Sequence, residues 1–128
     1  MKKELGDFKF NPPASLEEIT KLTNSLKVPL PEDYLSFMMK SNGGEGWAGE
    51  KYLMLWQIEE LLPYHQAYQV DKYAPGFLIF GSDGGLEAFA FDMREMPVRI
   101  VSIPFIGLTP SEAIDLGISF ERFLEMDD

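Results

Sequence analysis

Proton chemistry near neutral pH would have to start at His65, the only histidine in the chain. A Ser-His-Asp triad would need it, yet no Gly-x-Ser-x-Gly elbow is present to expose a nucleophile. His65 therefore reads as a polar residue on a helix or loop surface. Asp83, Glu87 and Asp92 could ligate a hard cation, but they lack the every-second-residue oxygen spacing of a calcium loop. The plainer reading gives Asp83 to a turn, Glu87 to solvent and Asp92 to a strand end. With 21 acids in 128 residues, some carboxylate pairs reach glycosidase separations by chance, and nothing singles one out. Gly81 to Gly85 resembles a phosphate loop only superficially: no Lys-Ser/Thr follows, and the local charge is negative. The chain has no cysteine, which removes thiolate zinc sites, iron–sulfur clusters and a thiolate nucleophile together. No catalytic residue, metal ligand set or cofactor site is assigned, and the expected function is not enzymatic.

The elements that position these residues come from a chain long enough for one domain and one core. Apolar residues make up 45% of it and ten are Phe, enough burial to offset the entropy of ordering. The absence of cysteine points to a reducing compartment, and we expect a cytoplasmic protein. Met1 to Asp7 leads into no apolar stretch of the kind a signal peptide carries. The apolar runs Phe77–Phe80 and Ile103–Leu108 fall far short of the about 20 residues of a membrane span. Net charge is −10, of which −3 lies in residues 1–72 and −7 in residues 73–128. Such a surface disfavours nucleic acid and anionic lipid and would steer a basic protein toward it. Acidity also serves plain solubility.

Asn11-Pro12-Pro13-Ala14 reads as a stiff, extended lead-in, with the folded core over residues 15–126. Ser15 and Glu18 form a capping box, and Leu16, Ile19, Leu22 and Leu26 predict a helix to about Lys27. Pro31 suits the first position of a second helix, whose buried stripe is Tyr34, Phe37 and Met38. Asn42-Gly43-Gly44 supplies a left-handed stop. Gly43 to Gly49 reads as an exposed, glycine-rich loop, followed by a strand with Tyr52, Met54 and Trp56 on one face. Gln57 to Lys72 is helical in pattern, with Pro63 distorting or restarting it. Phe77–Gly81 and Glu87–Asp92 predict a hairpin around Ser82-Asp83-Gly84-Gly85, and Val98–Ile103 predicts a third strand. Thr109-Pro110-Ser111-Glu112 reads as a second capping box. Gly117 breaks that helix, and Ser119 caps a last one bearing Phe120, Phe123 and Leu124. The fold class is α+β: one domain, with a central, mostly antiparallel sheet flanked by N- and C-terminal helices.

Taken in order, these pieces resemble the SUKH superfamily of fungal cell-wall assembly regulators and bacterial immunity proteins. Leu30-Pro31-Glu32-Asp33-Tyr34-Leu35-Ser36-Phe37 with Asn42-Gly43-Gly44 resembles its opening signature, and Tyr52–Trp56 with Glu59-Glu60-Leu61 its central segment. Phe80-Gly81-Ser82-Asp83-Gly84-Gly85 with Ala90-Phe91-Asp92 resembles its hairpin, and Ser119-Phe120-Glu121-Arg122-Phe123-Leu124 its close. Leu86 is bulkier than the small residue usual after the Gly-Gly pair. The resemblance spans residues 15 to 125. It implies a SUKH-like binding domain without catalytic residues.

Function then divides into an immunity protein that neutralises a cognate polymorphic toxin, nucleases being frequent among such toxins, and a regulatory adaptor with no toxin. A toxin gene beside this one would separate them. The long disordered extensions of the fungal regulators are absent from this chain, which favours the immunity role. The expected partner is a basic toxin domain, and exposed aromatics could equally serve a homodimer. Trp47 and Tyr52 are the aromatic candidates for partner contact, being of types enriched at interface hot spots. Asp83, Glu87, Glu112 and Asp115 are the acidic candidates. Glu112, Asp115, Glu121, Glu125, Asp127 and Asp128 are expected on a solvated helical face able to mimic nucleic-acid charge.

Overall fold

The run Phe77-Leu78-Ile79-Phe80 has no polar position, which a strand tolerates only where both faces of its sheet are covered. A computed structural model, which describes residues 8–125, shows that double cover. Seven strands follow one another in a single sheet, each antiparallel to the next: β1 (Lys9–Phe10), β2 (Gly44–Ala48), β3 (Lys51–Leu55), β4 (Phe77–Ser82), β5 (Glu87–Asp92), β6 (Arg99–Pro104) and β7 (Ile114–Asp115). Helices α1 (Leu16–Asn24) and α2 (Glu32–Lys40) interrupt the meander after β1. Helices α3 (Ile58–Ala67) and α4 (Val70–Tyr73) interrupt it after β3, and α5 (Phe120–Glu125) follows β7. The class is α+β, as expected, and the sheet is antiparallel throughout the described residues. Residues 1–7 of the lead-in, the core boundary at 126, and Asp127 and Asp128 lie outside them.

Strand alternation sorts the core into two layers. On the first face Leu53, Leu55, Leu78, Phe80, Phe89, Phe91 and Ile100 pack against the apolar stripes of α1, α2, α3 and α5. Tyr34 of α2 sits at the centre, its ring 4.9 Å from Phe91 and 5.1 Å from Phe120. Phe37 lies 5.5 Å from Phe120, and Phe123 reaches Phe80 and Phe89, so the opening and closing signatures meet in one aromatic core. On the second face Phe77, Ile79, Ala88, Ala90, Val101 and Ile103 pack under Val70 and Ala74 of the α4 segment and under Leu108.

Four expectations need correction. Helix α1 ends at Asn24 rather than about Lys27, because Ser25 caps it and bonds back to the carbonyls of Leu22 and Lys21. The glycine-rich segment expected as an exposed loop is strand β2. Gly44, Gly46 and Ala48 turn inward where the sheet is tightly covered, while Glu45 and Trp47 turn outward. The Thr109–Glu112 box makes only a 3₁₀ turn over Pro110–Glu112, without a side-chain cap, because the next residues pair with β6 as β7. Glu112 and Asp115 therefore share no helix with Glu121 and Glu125. Helix α3 runs through Pro63, and the break falls instead at Gln69, a non-glycine residue in the left-handed region at φ 55°.

Asn42 does more than stop a helix. Helix α2 gives way at Ser41, whose backbone is already extended, and the left-handed φ of 79° comes later, at Gly43. The Asn42 side chain accepts the Ile58 N–H at 2.8 Å and donates to Glu59 at 2.8 Å, serving the first turn of α3 from a distant segment.

Candidate protein-binding face

Among the described residues, nothing covers the β2–β3 end of the sheet's second face, where Trp47 is left exposed. Trp47 and Tyr52 stand directly opposite in the β2–β3 register, with ring centroids 5.2 Å apart and nearly perpendicular planes. The Tyr52 hydroxyl donates to Glu45 Oε2 at 2.6 Å, and that carboxylate holds the phenol above its ordinary pKa. Trp47 is 50% exposed, high for a side chain so costly to leave in water.

The β4–β5 hairpin turn abuts this pair. Asp83 Oδ1 accepts the backbone N–H groups of Gly85 at 2.8 Å and Glu87 at 3.2 Å, which is the turn role expected of it. Gly84 adopts φ 82°, and a Cβ there would lie 3.1 Å from the Tyr52 ring, so glycine both makes the turn and seats the ring. Glu87 is only half-buried. Burial first, then the charges of Asp83 and Glu112, raise its carboxyl pKa, and none of these three carboxylates forms an ion pair among the described residues. No group of three His, Asp or Glu side chains placed to hold a metal ion occurs among the described residues.

Asp115 stands apart from the other candidates. The Arg99 Nε lies 2.9 Å from both its oxygens, and this guanidinium first, with the Gly117 N–H, lowers its pKa. Asp92 is likewise held low by Arg94, which forks onto its carboxylate at 2.9 Å. Acidity at that end of the sheet is internally neutralised; at the hairpin end it is not.

Of four further rings that come together, the sequence placed Trp56 on a strand face with Tyr52 and Met54 and did not single out Tyr64, Tyr68 or Phe105 for partner contact. Trp56, two residues beyond Met54, packs 4.5 Å from Tyr64 and lies parallel to Tyr68 at 6.2 Å, and Tyr68 reaches Phe105 at 5.0 Å. Tyr64 and Tyr68 remain 37% and 42% exposed. The i, i+4 spacing of the tyrosines was a usable signal, but Phe105 reaches them only through the fold. His65 differs from the surface residue expected: its side chain is only 15% exposed, and Nε2 meets Asp71 Oδ1 at 2.8 Å. Its buried Nδ1 has no hydrogen-bond partner among the described residues.

No helix among the described residues is long and apolar enough to cross a membrane. Over 78 residues, 61% of its length, the chain is 32% identical to the Bacillus subtilis (strain 168) protein named "Uncharacterized protein YnaB", and it spans about half of that relative, 50%. Residues 13–126 match the sequence profile of the SMI1 / KNR4 family, SUKH-1, which takes in both aromatic signatures, the Asn42 cap and the Gly84 hairpin. This chain belongs to the SMI1 / KNR4 (SUKH-1) family.

Proposed function

We propose that this protein is a cytoplasmic immunity factor that neutralises a basic toxin domain by forming a complex with it, and that residues 15–126 act in this as one binding domain. The observation that carries the reading is the exposed Trp47–Tyr52 pair beside Asp83, Glu87 and Glu112, acids with no ion pair among the described residues. Half-exposed aromatics set in a surface of one charge sign are what a desolvated hot spot with electrostatic steering requires. Family membership supports a protein-binding role over a catalytic one. With a net charge of −10, a nuclease toxin that presents a cationic cleft is a fitting target, because the acids would occupy the place of phosphates. Asp115, committed to Arg99, contributes little to this surface.

The test is purification of the tagged protein from its native host, with bound chains identified by mass spectrometry. A stoichiometric basic toxin domain, lost on Trp47→Ala, upholds the reading. Recovery of regulatory proteins with no toxin gene nearby turns it to an adaptor, and recovery of a second copy alone turns it to a homodimer.

A further inference from the structure

Besides the Trp47–Tyr52 pair, the second face presents Trp56, Tyr64, Tyr68 and Phe105 as a continuous ladder built from the end of β3, helix α3 and the segment after β6. Its outer members are held in place at a conformational cost. Gln69, next to Tyr68, and Leu108, three residues from Phe105, are the only non-glycine residues with positive φ among the described residues. Segments 44–73, 82–87 and 105–113, which surround the ladder, carry eight acidic residues against two lysines, and Lys51 is buried on the other face. The remaining lysine, Lys72, already lies over Tyr73 at 5.2 Å, and Arg94 lies over Phe77 at 4.7 Å. Two rings on this side thus carry the chain's own cations, whereas the ladder carries none among the described residues. A planar guanidinium stacks on Tyr and Trp faces and is less strongly hydrated than an ammonium.

We propose that the Trp56–Tyr64–Tyr68–Phe105 ladder is an arginine-stacking subsite that receives an arginine-bearing segment of the partner protein. This rests on the reading that the domain binds another protein, but not on that protein being a toxin.

Only two tryptophans are present, so Trp47→Phe leaves Trp56 as a sole fluorescent reporter inside the ladder. The probe is a capped ten-residue peptide alternating Arg and Gly, with Lys-Gly and Glu-Gly peptides as counterparts. The expected result is a saturable change in Trp56 emission with the Arg peptide, at least five-fold weaker binding of the Lys peptide, and no response to the Glu peptide. Tyr68→Ala is expected to weaken Arg-peptide binding about ten-fold, and Tyr68→Phe, which keeps the ring, to leave it nearly unchanged. Circular dichroism melts establish that each variant folds. Trp56 emission blind to the Arg peptide, or equal affinity in Tyr68→Ala, overturns the proposal. A captured partner retained fully by Tyr68→Ala also overturns it while leaving the proposed function standing. Arg-peptide stacking in a protein that captures no toxin upholds the subsite and removes only the immunity reading.

Discussion

Tyr34→Phe should make this protein more stable, although it alters a fully buried residue of the family signature. The Tyr34 ring packs among Phe80, Phe91 and Phe120 with no solvent exposure, and its hydroxyl has no hydrogen-bond partner among the described residues. A buried, unpaired hydroxyl costs about 1–3 kcal/mol in lost hydration. Removing one oxygen leaves a void of roughly 10–15 Å³, worth about 0.3 kcal/mol at the usual cavity cost. The ring contacts survive the change. The net expectation is a gain of about 1 kcal/mol. Urea unfolding followed by Trp fluorescence should show it as a midpoint raised by about 0.3–1 M with an unchanged slope. The pH dependence supplies a second reading. Burial pushes the Tyr34 phenol far above its ordinary value, so the folded state refuses the proton loss that the unfolded chain undergoes near pH 10. The folded pKa exceeds the unfolded one, so this contribution is whole below about pH 10 and is lost as pH rises further. Tyr34→Phe should therefore blunt alkaline unfolding. A variant less stable than wild type by 1 kcal/mol or more, with the same slope, would refute the reasoning and show that the hydroxyl has a partner.

Three further substitutions probe the frame and the face. Gly81→Ala would drive a Cβ into the Met54 carbonyl across the short β3–β4 ladder, where backbone cannot give way; we expect a loss of roughly 3 kcal/mol or failure to fold, read by thermal melting. Asn42→Ala strips the Ile58 N–H and the Glu59 carboxylate of a partner and should cost about 2 kcal/mol, seen as earlier hydrogen exchange at the start of α3. Glu87→Gln should stabilise the free protein at neutral pH. The raised folded pKa means that ionised Glu87 opposes folding above its unfolded value, and the gain should vanish as the pH falls below that value. The same substitution should weaken a basic partner's binding at pH 7, measurable by calorimetry, since the complex would be what relieves this repulsion.

Local signals were legible where local energetics decide. Of the Ser15–Glu18 box, the Ser15 half is present, with Oγ accepting the Glu18 N–H at 3.1 Å, and the Asp83-Gly84 turn closes its hairpin. Strand β2 was illegible because strand propensity is read from branched and aromatic side chains, and its inward positions are Gly44, Gly46 and Ala48. The glycines are there because the space is taken: a Cβ on Gly44 would collide with Lys9 and Phe8. The tail failed in the opposite direction. A good capping sequence at Thr109–Glu112 was overridden by pairing with β6, a long-range term invisible in a short window. Of the candidate face, Trp47 and Tyr52 could be named from residue type, and register alone explains their pairing. The acids could be counted but not sorted, because what separates Asp115 from Glu87 is an arginine sixteen residues away in one case and none among the described residues in the other.

In the proposed function, this domain holds another protein against its aromatic, acidic second face. The most direct test of that is parallel affinity purification of wild type and a Trp47→Ala/Tyr68→Ala double variant from the native host, after showing that both melt cooperatively. A stoichiometric basic protein is expected with the wild type, and its loss, by ten-fold or more, from the double variant. An equal yield of the same partner from both would contradict it and move the binding surface elsewhere on the fold.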